Sequence, residues 1–231
     1  MTVSAKSARQ RPAGRPHRNV LSKELITRAA LKLIAADGYA GLTMSALAGR
    51  LNVVASSLYN HAKSKQEVLL WVEDHIMSMV DVSGFATAPW DEAVRRWAWS
   101  YRGVFAEHTP LIPVIAVLPV TGAPETLTMY EACTAGFRKA GWPEPLIVPA
   151  LVALESFIFG SAIDVTAPEN IFGPGAWAES TPLFTSAVRN QLRSPEMGRA
   201  DIAFSMGLEA LIAGLKAGLK AQNDAIDSER T

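Results

Sequence analysis

Apolar side chains stand at Ile26, Ala29, Ala30, Leu33 and Ile34. This is the i, i+3, i+4, i+7, i+8 spacing of an amphipathic helix. Ser22 precedes it as an N-cap, Glu24 favours the positive helix start, and Gly38 after Asp37 is a natural left-handed stop. A second helix begins at Thr43, with Leu42 and Leu47 as a hydrophobic staple and Leu47, Ala48 and Leu51 facing inward. Asn52 ends it, because asparagine tolerates the left-handed conformation best after glycine. A third, very short helix is predicted from Ala55 to His61. Val53 and Leu58 hold it down and Ser56, Ser57, Tyr59 and Asn60 face outward. A fourth opens on Ser64-Lys65-Gln66-Glu67, a capping box, and runs through Val68, Leu69, Val72, Ile76 and Met79.

Helical spacing continues beyond residue 80, with no run of strand period and no repeat. Ser83 to Pro89 reads as a joint. Val94, Trp97, Tyr101, Val104, Phe105 and His108 then share one helical stripe, and four prolines from Pro110 to Pro124 cut the chain into a short segment and a loop. Further helices pass through Met129, Cys133 and Phe137 to Gly141, from Pro143 to Val165, and from about Met197 to Leu219, with a loop over Asn170 to Pro182. The pattern predicts an all-α chain: an N-terminal three-helix helix-turn-helix domain and a larger helical ligand-binding and dimerisation domain. The divisions fall at 1–20 (a disordered basic arm), 21–67, 68–221 and 222–231 (a C-terminal tail). The most apolar segment, Leu146 to Ile163, carries Pro149, Glu155 and two serines, as a buried helix would and a membrane span would not. A single cysteine, Cys133, excludes an intrachain disulfide and fits the cytoplasm.

Net charge is zero, yet it is divided. Through Lys65 there are 11 Lys/Arg against 2 Asp/Glu, a net of +9; the remainder carries 11 against 20, a net of −9. A basic front on an acidic remainder points to a polyanionic partner for the first module. Short helix, tight turn and shorter polar helix form the pattern of a helix-turn-helix. Ser56 and Ser57 are small enough to let the third helix enter a major groove. Tyr59, His61 and Lys65 can donate to phosphate.

The ordered set Ile26, Ala29, Ala30, Gly38, Leu42-Thr43, Leu47-Ala48, Leu51, Val53, Leu58-Tyr59, His61 and Lys65 resembles the DNA-binding domain of the tetracycline-repressor (TetR) family of bacterial transcriptional regulators. The resemblance implies double-stranded DNA contact by Thr43, Ser56, Ser57, Tyr59, His61 and Lys65; Ser45, Ala55 and Asn60 complete the candidate set. Departures are Asn52 where glycine is usual, Val54 where a serine cap is frequent, and Ala62 for a common phenylalanine. The stretch Gly14-Arg15-Pro16 resembles the minor-groove arm of AT-hook segments and would insert Arg15.

In the second module, the helices 146–165 and 197–219 carry broad apolar faces and small residues, suited to a homodimeric four-helix bundle. The family resemblance extends there more loosely and implies a tetracycline-repressor-type ligand domain. Trp97, Tyr101, Phe105, His108, Met129, Cys133, Phe137, Glu155 and Phe159 are the candidate lining of an effector pocket. The same stripe also reads as ordinary core. Glu155, a carboxylate on an apolar helix, needs a partner: a ligand cation or an arginine across the dimer. Alignment from Lys65 puts Asp81 where the founding repressor has a ligand histidine, which disfavours tetracycline. The Trp-rich middle points instead to an apolar or aromatic effector.

Metal-ligand spacing, phosphate loops and nucleophile motifs are all missing, so no catalytic residue, metal or cofactor is assigned. A helical bundle that binds or transforms a small molecule, with its N-terminal motif contacting protein, is the alternative class. An architectural DNA protein is a third, and the large apolar second module argues against it. The reading is a ligand-responsive repressor, released from a near-palindromic operator by its effector.

Overall fold

A computed structural model describes residues 21–192 and 196–229. The basic arm, with Arg15, lies outside the described residues. Every element among them is helical. Helix α1 (Lys23–Gly41) starts where Ser22 Oγ accepts from the Leu25 amide at 3.2 Å, and kinks at Gly38, whose φ is 68°. Helices α2 (Met44–Arg50) and α3 (Ala55–Tyr59) complete a small bundle whose core is Ile26, Ala30, Leu42, Leu47 and Leu58. The turn between them passes through Asn52 at φ 54°, the one non-glycine residue with positive φ among those described.

Helix α4 (Lys65–Met77) belongs to both modules. It packs on α1 and on α8 (Pro124–Lys139). Its Asp74 carboxylate accepts from the Glu125 amide at 2.7 Å, at the positive start of α8, and pairs with Lys23 of α1 at 3.6 Å. One side chain thus clamps the N-terminal bundle to the larger domain. That domain is built on α6 (Trp90–Ala106) against α9 (Glu144–Asp164), with α11 (Arg199–Glu229) packed on α9. Gly207 permits the close approach of α11, since a Cβ there would meet the Phe157 ring at 2.5 Å; Phe157 stacks on Phe204 instead. Arg95 grips Glu209 through two nitrogens, at 2.6 and 2.9 Å, and Arg102 reaches Asp201 at 2.6 Å, tying α6 to α11.

Several elements differ from the sequence expectation. The joint after α4 contains α5 (Gly84–Thr87), held by burial of Phe85 against Trp97. The proline-cut segment is a 3-10 turn (Thr109–Leu111) running into α7 (Ile112–Ile115). Proline is tolerated there because first-turn amides need no intrahelical acceptor. The stretch expected as a loop holds a 3-10 turn (Gly175–Trp177) and leads into an unforeseen α10 (Pro182–Arg189). Helix α11 passes the expected stop near Leu219 and runs through the expected tail to Glu229, having no glycine or proline after Gly218 to end it.

By length and composition α9 and α11 are apolar enough to cross a membrane. Both bury an apolar face, with Leu151, Leu154, Glu155 and Ile158 on α9 and Phe204, Leu208 and Ile212 on α11. Their other faces leave Val148, Val152, Ile163 and Met206 largely exposed.

Candidate nucleic-acid interface and effector cavity

Helix α3 has one turn and no side-chain cap at Val54, so local hydrogen bonds cannot hold it. It is pinned by packing and by the chain around it. Leu58 is fully buried, and its carbonyl accepts from the His61 and Ala62 amides at 2.9 and 3.0 Å. At the turn, the Ala48 carbonyl accepts from the Val53 amide at 3.0 Å. Ala62, where an aromatic was expected, is itself fully buried. With Leu58 inward, Ala55, Ser56, Tyr59, Asn60 and His61 stand exposed and Ser57 half-buried. Ser45 is exposed beside Thr43, whose hydroxyl accepts from the Ala46 amide at 3.0 Å as the cap of α2. The DNA candidates from Thr43 to His61 therefore stand open or half-open on either side of the turn.

Lys65 behaves differently. Its ammonium lies 3.8 Å from the centre of the Tyr39 ring and donates to the Tyr39 carbonyl at 3.2 Å. It holds the end of α1 against α4 and presents only part of its charge outward. Beside it, Ser64 Oγ accepts from the Glu67 amide at 3.1 Å, while Glu67 Oε2 accepts from the Lys63 amide at 2.7 Å. The expected cap is present, but its carboxylate reaches one residue further back than the Ser64 amide.

The sequence reading missed a second basic feature. Arg28 and Lys32 on α1 and Arg50 at the end of α2 converge on one open cleft with Leu25, Ala29 and Leu51. Arg28 and Lys32 stand four apart and were readable as one stripe. Arg50 joins them only through helix packing.

In the larger domain the nine effector candidates divide. Trp97, Tyr101, Phe105, Met129, Cys133 and Phe137 are all buried; the rings of Phe85, Trp90, Trp97, Phe137 and Trp142 form a continuous cluster, edge-to-face at Phe85–Trp97 and Trp90–Trp142 and tilted where Phe85 and Trp90 meet Phe137. A cavity of about 90 Å³ lies between α4, α6, α8, α9 and the segment after α7. Only Tyr101, Glu155 and Phe159 of the nine line it; the rest of its wall includes Glu73, Met77, Ile115, Leu118 and Tyr130. Trp97, Phe105, His108, Met129, Cys133 and Phe137 are packing residues outside that wall, for a stripe at helical spacing faces whichever helix lies opposite. Burial holds the His108 imidazole below its ordinary pKa and pushes the Cys133 thiol up, so both are neutral at pH 7.

Glu155 finds two partners within the chain that the sequence did not point to. The phenols of Tyr101 and Tyr130 donate to its Oε1 at 3.1 and 2.8 Å. Burial still holds the Glu155 carboxyl above its usual range, against those two hydrogen bonds. Glu73 on α4 was missed altogether. It is 2 % exposed, its Oε2 has no hydrogen-bond partner among the described residues, and burial with the neighbouring Asp74 charge pushes its pKa up to about 7. A signal existed: Leu69, Ile76 and Met77, at −4, +3 and +4, are all buried, so Glu73 sits on the apolar stripe. Asp81, at the position that would hold a ligand histidine, is an exposed turn residue. Its amide donates to Ser100 Oγ at 2.8 Å and its Oδ1 accepts from the Ser83 amide at 2.9 Å.

An exposed helix-turn-helix joined by one helix to a cavity-bearing domain defines a one-component regulator. The comparisons agree. Residues 26–72 match the family of bacterial regulatory proteins, tetR family, and residues 86–219 match the Tetracyclin repressor-like, C-terminal domain. The chain belongs to the TetR family. It is 25 % identical over 212 residues to an HTH-type transcriptional regulator of Saccharopolyspora erythraea, covering 86 % of each chain. It is 26 % identical over 204 residues to the class E tetracycline repressor protein of Escherichia coli, covering 86 % of this chain and 92 % of that one. Among solved structures, ActR of Streptomyces coelicolor in complex with actinorhodin superimposes with a TM-score of 0.71 at 26 % identity, over 87 % of this chain and 97 % of that one. The chain is thus a ligand-responsive, DNA-binding regulator of transcription and not an enzyme.

Proposed function

We propose that the chain is a cytoplasmic repressor that acts as a homodimer on a near-palindromic operator. The exposed faces of α9 and α11, with Val148, Val152 and Met206, support pairing of the helices 146–165 and 197–219 with their copies. Two α3 helices would then enter successive major grooves, about 34–36 Å apart. The observation that carries this reading is the exposed polar set Ser56, Tyr59, Asn60 and His61 on and just after a short helix anchored by the buried Leu58. In this arrangement Ser45, Ala55 and Ser57 line the groove, Thr43 flanks it, and Lys65 and the Arg28, Lys32 and Arg50 cleft meet phosphates.

The effector seat is the cavity between α4 and α9. Tyr101, Phe159, Met77 and Leu118 suit a small, largely apolar or aromatic molecule. Because Glu73 lies on α4, an effector bound there acts on the helix that begins beside the recognition helix. Effector binding would favour a dimer whose recognition helices are misspaced, through a coupling of about 1–3 kcal/mol. Sequencing the DNA that the pure protein selects, then titrating that fragment at two salt concentrations, tests the reading. A palindromic site bound more weakly at high salt is expected; no binding at low salt would sink it.

A further inference from the structure

We propose that the cavity between α4 and α9 binds an organic cation, its ammonium or amidinium group seated between the carboxylates of Glu73 and Glu155. This inference rests on the effector seat proposed above and assigns that seat its ligand class.

Both carboxylates line a single cavity, with the rings of Tyr101, Tyr130 and Phe159 in the same wall. No Lys, Arg or His is among the described lining residues. Buried charge is retained where it is paired, and an unpaired buried carboxylate costs several kcal/mol or gives up its charge. Tyr101 and Tyr130 meet part of the requirement at Glu155, through Oε1 alone. Nothing meets it at Glu73, whose Oε2 is buried and unpartnered among the described residues. The neighbouring acid, Asp74, is committed elsewhere, to Lys23 and the Glu125 amide. Acceptors in excess of donors, with aromatic faces beside them, are complementary to a cation carrying several N–H groups.

Size narrows the class. A volume of about 90 Å³ limits the ligand to a few heavy atoms. It holds a cationic head with a short apolar tail, which Met77, Ile115 and Leu118 would cover. The two carboxylates belong to α4 and α9, so one head group would join the helix leaving the DNA-reading bundle to a helix of the proposed dimer face.

The test uses the full chain and two probes of equal size, n-butylammonium and its neutral isostere 1-butanol, titrated at pH 8 by saturation-transfer NMR. Butylammonium is expected to bind at least tenfold more tightly than 1-butanol. Glu73→Gln and Glu155→Gln should each cut its affinity at least tenfold, with thermal melting confirming that both variants fold. Glu92→Gln, on the exposed face of α6, controls for general attraction to the acidic domain and should change nothing. Equal affinity for the two probes, no binding of butylammonium, or binding that survives both glutamine variants would overturn the cation site. Operator binding without either probe is scored separately. Its failure would remove the repressor reading and leave the cation result standing.

Discussion

On α3, a helix of five residues, and just after it, serine, tyrosine, asparagine and histidine side chains stand in water. In the α4–α9 cavity, two glutamates and two tyrosines are enclosed by four longer helices. The first set is hydrated, and in the proposed complex a phosphate or a base edge would replace that water. The second has lost water already, so its protonation is set by the protein: the Glu73 carboxyl rises to about 7 and Tyr101 and Tyr130 move well above the ordinary phenol range. Exposure leaves polar groups available to any anion, whereas burial makes them selective.

The sharpest way to break this comparison is Leu58→Ala, since one buried leucine holds the whole exposed face. A loss of about 2–5 kcal/mol is expected in urea unfolding, together with loss of operator binding. Unchanged DNA affinity would show that α3 is not held from below.

Glu73 tests the buried side. Its folded pKa, about 7, exceeds its ordinary value of 4.5, so the folded state binds the extra proton between those values. Stability should therefore fall as pH rises from about 4.5 to 7 and level off above. Glu73→Gln should flatten that slope, leaving the part Glu155 contributes, and raise Tm at pH 8 by several degrees, given about 2–4 °C per kcal/mol in a protein of this size. A slope unchanged in the variant would place the proton elsewhere. For the proposed cation the sign reverses: binding displaces a proton, so affinity should rise through the same window.

Tyr59→Phe and Lys65→Ala sharpen the exposed side. Loss of one hydrogen bond to a charged oxygen predicts about tenfold weaker operator binding for Tyr59→Phe, with no change in Tm. Lys65→Ala should weaken binding similarly and reduce the salt slope by about one if its charge reaches a phosphate. Lowered Tm with an unchanged slope would mean that the contact with Tyr39 is its whole role. The smallest effect is expected from Asn52→Gly, at the left-handed turn: a gain of no more than about 1 kcal/mol in urea unfolding, since glycine adopts positive φ without strain.

The first module was legible almost residue by residue. Ser22, Thr43 and Ser64 cap their helices, Asn52 turns, and Leu58 is buried, because caps, turns and a 3.6-residue period are local chemistry. The larger domain yielded its helices and less of its detail. Helix α10 went unseen because no buried residue marks it, and of the nine effector candidates along one stripe only Tyr101, Glu155 and Phe159 line the cavity.

The all-helical class, the helix-turn-helix and the identity of its outward residues are properties of the chain alone, since short-range spacing specifies them. Only tertiary structure decided that Lys65 turns back onto Tyr39, that Arg28, Lys32 and Arg50 share a cleft, and that Glu155 meets two phenols with Glu73 in the same cavity. Apart from Arg28 and Lys32, those residues lie far apart in the chain, on helices whose faces meet only when the core closes. A periodic pattern records which face of a helix turns inward; what waits on the other side is set by packing.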